Sequence, residues 1–321
     1  MFSRVRYVLF AVVVGALMMI TMWLTMQSNA GAPSNLRFEN ESGNELAGER
    51  IRLLCYRTNG IGSLIADLVV TTDAEGRSTT QLSSACNYVA AMRVLHEQPS
   101  GKPEHGPAYR VYQTSWQPGT TELVDVTGGG DITVEINSAN QLVLFNVVAS
   151  IAWAADSTYI SQLQQGLREA SAYLYDVTDG QMAFGPVNIY TNGRYWENAD
   201  FRIMPANDYR PTANVGGMVS DTIAVFTSGR LSQTLYASTA MYLGRYWDGN
   251  DASDELSGNW AEADAYRTLI HEWGHYALFL YDEYQDVDGI FTFCVCDMLP
   301  LAGCGDHDAS VMAYHYETSE F

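Results

Sequence analysis

One lysine, Lys102, stands beside sixteen arginines, and these 17 basic residues face 37 acidic ones for a formal charge of −20. So little positive charge leaves no basic groove for a phosphate backbone, which argues against a nucleic-acid partner. Charged residues of both signs make up only 17% of the 321, against 47% hydrophobic and 12% aromatic. The chain is therefore too apolar for extensive disorder and long enough for about two domains. Five cysteines are too few for a disulfide scaffold, and there is neither an internal repeat nor a low-complexity run.

Charge is missing altogether from Tyr7 to Met26, behind Arg4 and Arg6 and ahead of the small residues Ser28, Asn29, Ala30, Gly31 and Ala32. Residues 1–32 read as an export signal. About twenty apolar residues span about 30 Å, so a cleaved signal peptide and a retained signal anchor are both open. Either way the positive-inside rule keeps the N-terminus cytoplasmic. The rest is expected outside the cell, secreted or anchored, touching the membrane only through this segment and free to form disulfides.

From residue 35 to 137 short alternating runs are separated by turns. Strands are expected at Arg50–Tyr56, Ile65–Thr72, Tyr88–Leu95, Ala108–Thr114 and Asp131–Ile136, with turns at Glu41-Ser42-Gly43-Asn44, Asp73-Ala74-Glu75-Gly76 and Gly128-Gly129-Gly130. This spacing predicts an all-β sandwich. The stretches LAGERIRLLC, TTDAEGRSTTQL and CNYVAAMRV resemble prealbumin-like or carboxypeptidase-regulatory-like β modules. Cys55 and Cys86 are expected on two of these strands, either as a disulfide or as two buried thiols. No catalytic set converges here, which implies a structural, adhesive or positioning module.

After a short linker expected at Asn137 to Asn140 the period changes. QLVLFNVVASIAWA reads as a buried strand, and Ser157 to Tyr175 carries Ile160, Leu163, Leu167, Ala170 and Leu174 at helical spacing behind a serine cap. Strands are expected at Gln181–Tyr190, Phe201–Met204, Thr222–Thr227 and within STAMYLGRY, 238–246. Residues 141–321 therefore read as an α+β domain.

The chemistry sits in AEADAYRTLIHEWGHYALFLYDEYQ, 261–285. On a helix, His271 and His275 point the same way one turn apart and form a chelating pair. Glu272 projects beside them, where a carboxylate can take a proton from water. Ala261, Ala265, Leu269 and Ile270 supply the apolar face that docks the helix. A chain of this size shows H-E-x-x-H by accident about once in a hundred, so zinc is the expected cofactor. Catalytic zinc takes three protein ligands, and Asp282 lies seven residues past His275. On a continuous helix it would stand about 10 Å too far along the axis, so the helix must end near Leu278 to Leu280 and fold back.

HEWGHYALFLYDEY resembles the H-E-W-x-H-x-x-x-G-x-x-D-E-Y segment of the calcium-activated chloride channel regulator proteins, and REASAYLYDVTDGQMAFGPVNIY resembles their upstream helix and strand. The resemblance covers about residues 140 to 321. It implies an α+β zincin-like metallopeptidase domain behind the β-sandwich module, a protein or peptide substrate, and possible self-cleavage. Position by position, it implies His271, His275 and Asp282 as zinc ligands and Glu272 as general base. The family's turn glycine is Phe279 here, and phenylalanine resists positive φ. A shifted turn would present Glu283 in place of Asp282. These acidic residues, with Asp286 and Asp288, also read as a helix C-terminal loop or a calcium ligand set.

SVMAY, 310–314, resembles the methionine turn of metzincin peptidases. It implies Met312 as the floor beneath the ligands and Tyr314 as a catalytic group that steadies the oxyanion. A peptide would lie along an edge strand, with STAMYLGRY the candidate. Cys294, Cys296 and Cys304 could join His307 in a structural zinc cluster, but outside the cell the simpler expectation is that Cys294 or Cys296, too close to bond to each other, bridges to Cys304. The odd cysteine left over, with the stop at Phe321, reads as a shortened product. His307 is a fallback ligand. The acidic loop 248–260 reads as a solvated surface ahead of a calcium site. The rival reading is a non-catalytic adhesion or channel-modulating protein that keeps the fold, though a dead copy has no need of Glu272.

Overall fold

The computed structural model describes residues 34–78, 80, 82–100, 106–120, 122–128, 130–207, 210–218, 222–227, 230–236, 240–247, 259–282 and 310–312. The strands are β1 (Ser34–Asn40), β2 (Arg50–Tyr56), β3 (Leu64–Thr71), β4 (Tyr88–Gln98), β5 (Tyr109–Thr114), β6 (Val124–Asp125), β7 (Gly130–Ile151), β8 (Met182–Tyr190), β9 (Phe201–Ile203), β10 (Thr222–Thr227), β11 (Arg230–Tyr236) and β12 (Met241–Leu243). The helices are α1 (Ser157–Val177) and α2 (Ala263–Leu278). The fold is mixed α+β: ten strands make one mixed sheet, and β10 and β11 form a separate antiparallel hairpin.

In the first part, β3, β2, β4 and β5 are antiparallel neighbours. Alternation along β2 sends Ile51, Leu53 and Cys55 to one face, where Leu36, Phe38, Val134 and Ile136 of β1 and β7 cover them. Leu54 and Tyr56 go to the other face, against Tyr112, Trp116, Leu142 and Leu144. Both faces of β2 are thus buried, as its nearly continuous apolar run requires. Of the two states open to Cys55 and Cys86, the disulfide is the one present, with Cα atoms 5.4 Å apart.

The residues expected to link two units instead run inside β7, a strand of 22 residues. Its partners change along its length: β1 beside Gly130–Ile136, β5 beside Asn137–Phe145, and β8 beside Val143–Ser150. Asn137 to Asn140 are polar because the strand is exposed where it passes between partners, and the Glu41 carboxylate accepts from the Ser138 N–H at 3.1 Å. Polarity here marks solvent, not a break in the strand.

Beyond that crossing the sheet becomes parallel, β8 and β9 flanking β7 and β12 flanking β9. α1 is the crossover between β7 and β8. Its N-cap is Asp156, whose carboxylate accepts the Tyr159 N–H at 2.8 Å; the expected serine lies one residue inside the helix. Leu163, Leu167, Ala170 and Leu174 of α1 pack with Leu269, Ile270 and Trp273 of α2 over one face of this sheet. Gly166 permits the closest approach, because a Cβ there would run into the Trp260 carbonyl. The Trp273 ring meets Phe145, Phe184 and Phe201 at 5.2, 4.8 and 5.8 Å between centroids, edge-on. Each such contact contributes about 0.5–1.5 kcal/mol beyond its buried area, so one side chain locks α2 onto three strands.

The expected peptide-binding edge is already paired. The Tyr242 N–H of β12 donates to the Thr212 carbonyl at 2.8 Å, and the Thr212 N–H donates back to the Tyr242 carbonyl at 3.0 Å. An antiparallel bridge therefore covers β12, and no second chain can use those two groups. No helix among the described residues is long and apolar enough to cross a membrane, and Tyr7–Met26 lies outside them.

Candidate metal centre

α2 carries His271 and His275 on its buried side, their rings 4.9 Å apart and nearly perpendicular. The helix ends at Leu278, as the sequence requires if Asp282 is to return. The turn is made by Phe279 itself, at φ 63° and ψ 24°. The register is therefore not displaced, and Asp282 is delivered to the two histidines. A left-handed phenylalanine costs about 1–2 kcal/mol relative to glycine. Several bonds hold it. The Gly274 carbonyl accepts from the N–H groups of Phe279 and Leu280. The carbonyls of His275 and Tyr276 accept from Gly216 and Met218 at 2.8 and 3.0 Å. Residues 212–218 thus strap the end of α2 to the sheet edge, which satisfies carbonyls a helix terminus leaves open.

Asp282 Oδ1 stands 3.2 Å from His271 Nε2 and 3.1 Å from His275 Nε2, and one ligand atom from each residue lies within 4.8 Å of the others. The far nitrogens are fixed by the backbone: His271 Nδ1 is 2.8 Å from the Val311 carbonyl and His275 Nδ1 is 2.8 Å from the Leu280 carbonyl. A carbonyl only accepts, so each Nδ1 carries hydrogen, and in the neutral ring the lone pair sits on Nε2. Three electron-pair donors consequently face one another, and Asp282 Oδ1 is buried without a hydrogen bond of good geometry. Such a set repels itself unless a cation or a proton lies between its members. Four ligands about 2.0–2.1 Å from zinc stand about 3.3 Å apart, close to the two spacings here, and two imidazoles with one carboxylate are a zinc donor set. The residues fit the metal.

Glu272 is buried beside the pair, and the Ala213 N–H of the strap donates to its carboxylate. Burial pushes its pKa up to about 7, against the lowering pull of His271 and His275. Burial also raises Asp282, but the two histidines outweigh it and hold this carboxyl far below its usual range. For His275 burial lowers the pKa, and the contacts with Asp282 and the Leu280 carbonyl reverse the direction.

Met312 is buried and directly follows Val311, whose carbonyl holds His271. Tyr314, Glu283, Cys294, Cys296, Cys304, His307, Asp286, Asp288 and residues 248–258 lie outside the described residues. Sequence reasoning missed the groups that orient the histidines and Glu272. Val311, Leu280 and Ala213 act through backbone atoms, which any side chain would supply equally well.

No protein-family model, curated protein or solved structure matches the chain.

Proposed function

We propose that the chain is an extracellular zinc-dependent endopeptidase of zincin architecture, similar in its site to the calcium-activated chloride channel regulator proteins, with a protein or peptide as substrate. The observation that carries this reading is the convergence of His271, His275 and Asp282, their Nδ1 atoms held by carbonyls, beside a buried Glu272. The parallel order β8-β7-β9-β12, with Thr212 antiparallel at the outer edge, also supports it. So does the placement of α2 beneath that edge.

Zinc, when bound by the three side chains, supplies a Lewis acid that acidifies water and polarises a carbonyl. Glu272 takes a proton from the water that attacks the peptide carbon, then gives it to the departing amine as the C–N bond breaks. Tyr314 is assigned, within this proposal, to the oxyanion. The Cys55–Cys86 disulfide is in keeping with an oxidising compartment.

The test is zinc content and peptide-library cleavage for the purified full chain, Glu272→Ala and His271→Ala. One zinc per chain, cleavage by the parent alone, and zinc retained in Glu272→Ala are expected. Equal processing by parent and Glu272→Ala, with zinc bound to both, would sink the peptidase reading.

A further inference from the structure

Phe279 is a strained residue that the core does not need. Its backbone is left-handed at φ 63°, where a bulky side chain is an outlier, yet the residue is 53% exposed. Glycine would make the same turn without strain and without an apolar ring in water. Strain that folding does not require points to function.

The ring has a shaped seat. It lies across Gly216, where an added Cβ would stand 2.5 Å from the ring's Cε1. Gly216 is itself left-handed, at φ 71°, and its N–H caps the His275 carbonyl. Val215, the next residue of the strap, is 36% exposed, and Tyr281, two residues past Phe279, is 53% exposed. Between Phe279 and Tyr281 lies Leu280, whose carbonyl orients His275, and Asp282 follows directly. Half of the large apolar side chains exposed among the described residues therefore belong to two short segments that touch the metal centre: Val215, Phe279 and Tyr281, against Ile65, Val69 and Leu95 elsewhere.

We infer that Phe279, seated on Gly216 and flanked by Val215, is a specificity-determining residue that receives an apolar side chain of the peptide laid across the metal centre. The inference rests on the endopeptidase reading for its ligand. The occupant follows from the chemistry of the wall. An aromatic face offers a charged or glycyl residue nothing to offset desolvation, whereas leucine or phenylalanine gains buried apolar area on it. One such side chain covered on one side is worth about tenfold in affinity.

The experiment uses the full chain, zinc-loaded and carrying Glu272→Gln so that nothing is cut. Four fluorescein-labelled pentapeptides, Ala-Ala-X-Ala-Ala with glycine, aspartate, leucine or phenylalanine at X, are titrated by fluorescence anisotropy. The leucine and phenylalanine peptides should bind about tenfold tighter than the other two. Adding Phe279→Gly should bring all four within about twofold with zinc content unchanged and the melting temperature equal or higher; Phe279→Asn, which tolerates the left-handed turn, should do the same. Phe279→Tyr should keep the preference. Equal binding of the four peptides, or a preference that survives Phe279→Gly, overturns the inference. Cleavage is read separately on the chain with Glu272 intact. Its absence there would overturn the peptidase reading while the binding ratio still decides the role of Phe279.

Discussion

The Tyr276 hydroxyl of α2 donates to Oδ1 of Asp200 at 2.7 Å, while Oδ2 of the same carboxylate accepts the Val148 N–H of β7 at 2.8 Å. Both side chains are buried, and the Asp200 carbonyl also accepts the Met241 N–H of β12 at 2.7 Å. One residue thus ties the histidine-bearing helix to two parallel strands. Val148 falls between the β5 and β9 pairings of β7, and the carboxylate takes the place of a strand there. Asp200→Ala leaves a buried hydroxyl and a buried N–H without this acceptor, at about 1–3 kcal/mol each. The expected loss of about 2–6 kcal/mol is measurable by urea denaturation. A loss below about 0.5 kcal/mol would mean that solvent replaces the carboxylate.

The Cys55–Cys86 bridge closes a loop whose ends are 31 residues apart in sequence. Closing a loop of that length in the unfolded chain contributes about 3–4 kcal/mol in the chain-entropy model. The double variant Cys55→Ala, Cys86→Ala should unfold at lower urea by that amount and gain m-value, since its unfolded state is less constrained. An unchanged midpoint would show that the bridge does not constrain the unfolded ensemble.

The elements most legible in the sequence were those that bury a whole stripe or face. Arg50–Tyr56 was recovered as β2, and α1 and the two-histidine helix followed from 3.6-residue spacing because Leu163, Leu167, Leu269 and Ile270 all face one core. The edges were less legible. β1 pairs in parallel with a strand about a hundred residues away, and β11, though seven residues long, has only Leu231, Leu235 and Tyr236 as large apolar residues, so neither shows in local periodicity. Asn137 to Asn140 looked like a linker because exposed strand and loop share a composition. Within the site, the side-chain donors were readable as a motif, whereas the turn at Phe279 ran against local preference. There the bonds from Gly216 and Met218, together with Gly274, override what phenylalanine alone would choose.

Gly216 and Phe279 should be energetically coupled. Gly216→Ala adds a methyl group into the Phe279 ring at a backbone angle that already disfavours a side chain. The single variant should lose about 2–4 kcal/mol. In a Phe279→Gly background the collision disappears and only the backbone term, about 1–2 kcal/mol, remains. A double-mutant cycle by urea denaturation should therefore give a coupling of about 1–2 kcal/mol. Strict additivity would mean that the ring swings away and does not rest on the strap.

Chelation separates a metal site from an ordinary histidine–aspartate cluster. A ligand that binds only the folded chain stabilises it by about 2.7 kcal/mol when its free concentration is a hundred times Kd. Zinc should therefore raise the melting temperature of the parent, excess chelator should reverse the rise, and His271→Ala and His275→Ala should respond to neither. Asp282→Asn adds the sharper comparison. At pH 9 the Val311 and Leu280 carbonyls still hold a hydrogen on each Nδ1, and the metal-free parent sets a carboxylate oxygen against the two Nε2 atoms. An amide can turn an N–H toward one of them, so metal-free Asp282→Asn should be at least as stable as the metal-free parent, while its zinc response is weakened or lost. If the substitution destabilises the metal-free chain at that pH and leaves the zinc response whole, Asp282 is a structural partner of the histidines and not a ligand, and a different third donor must be sought.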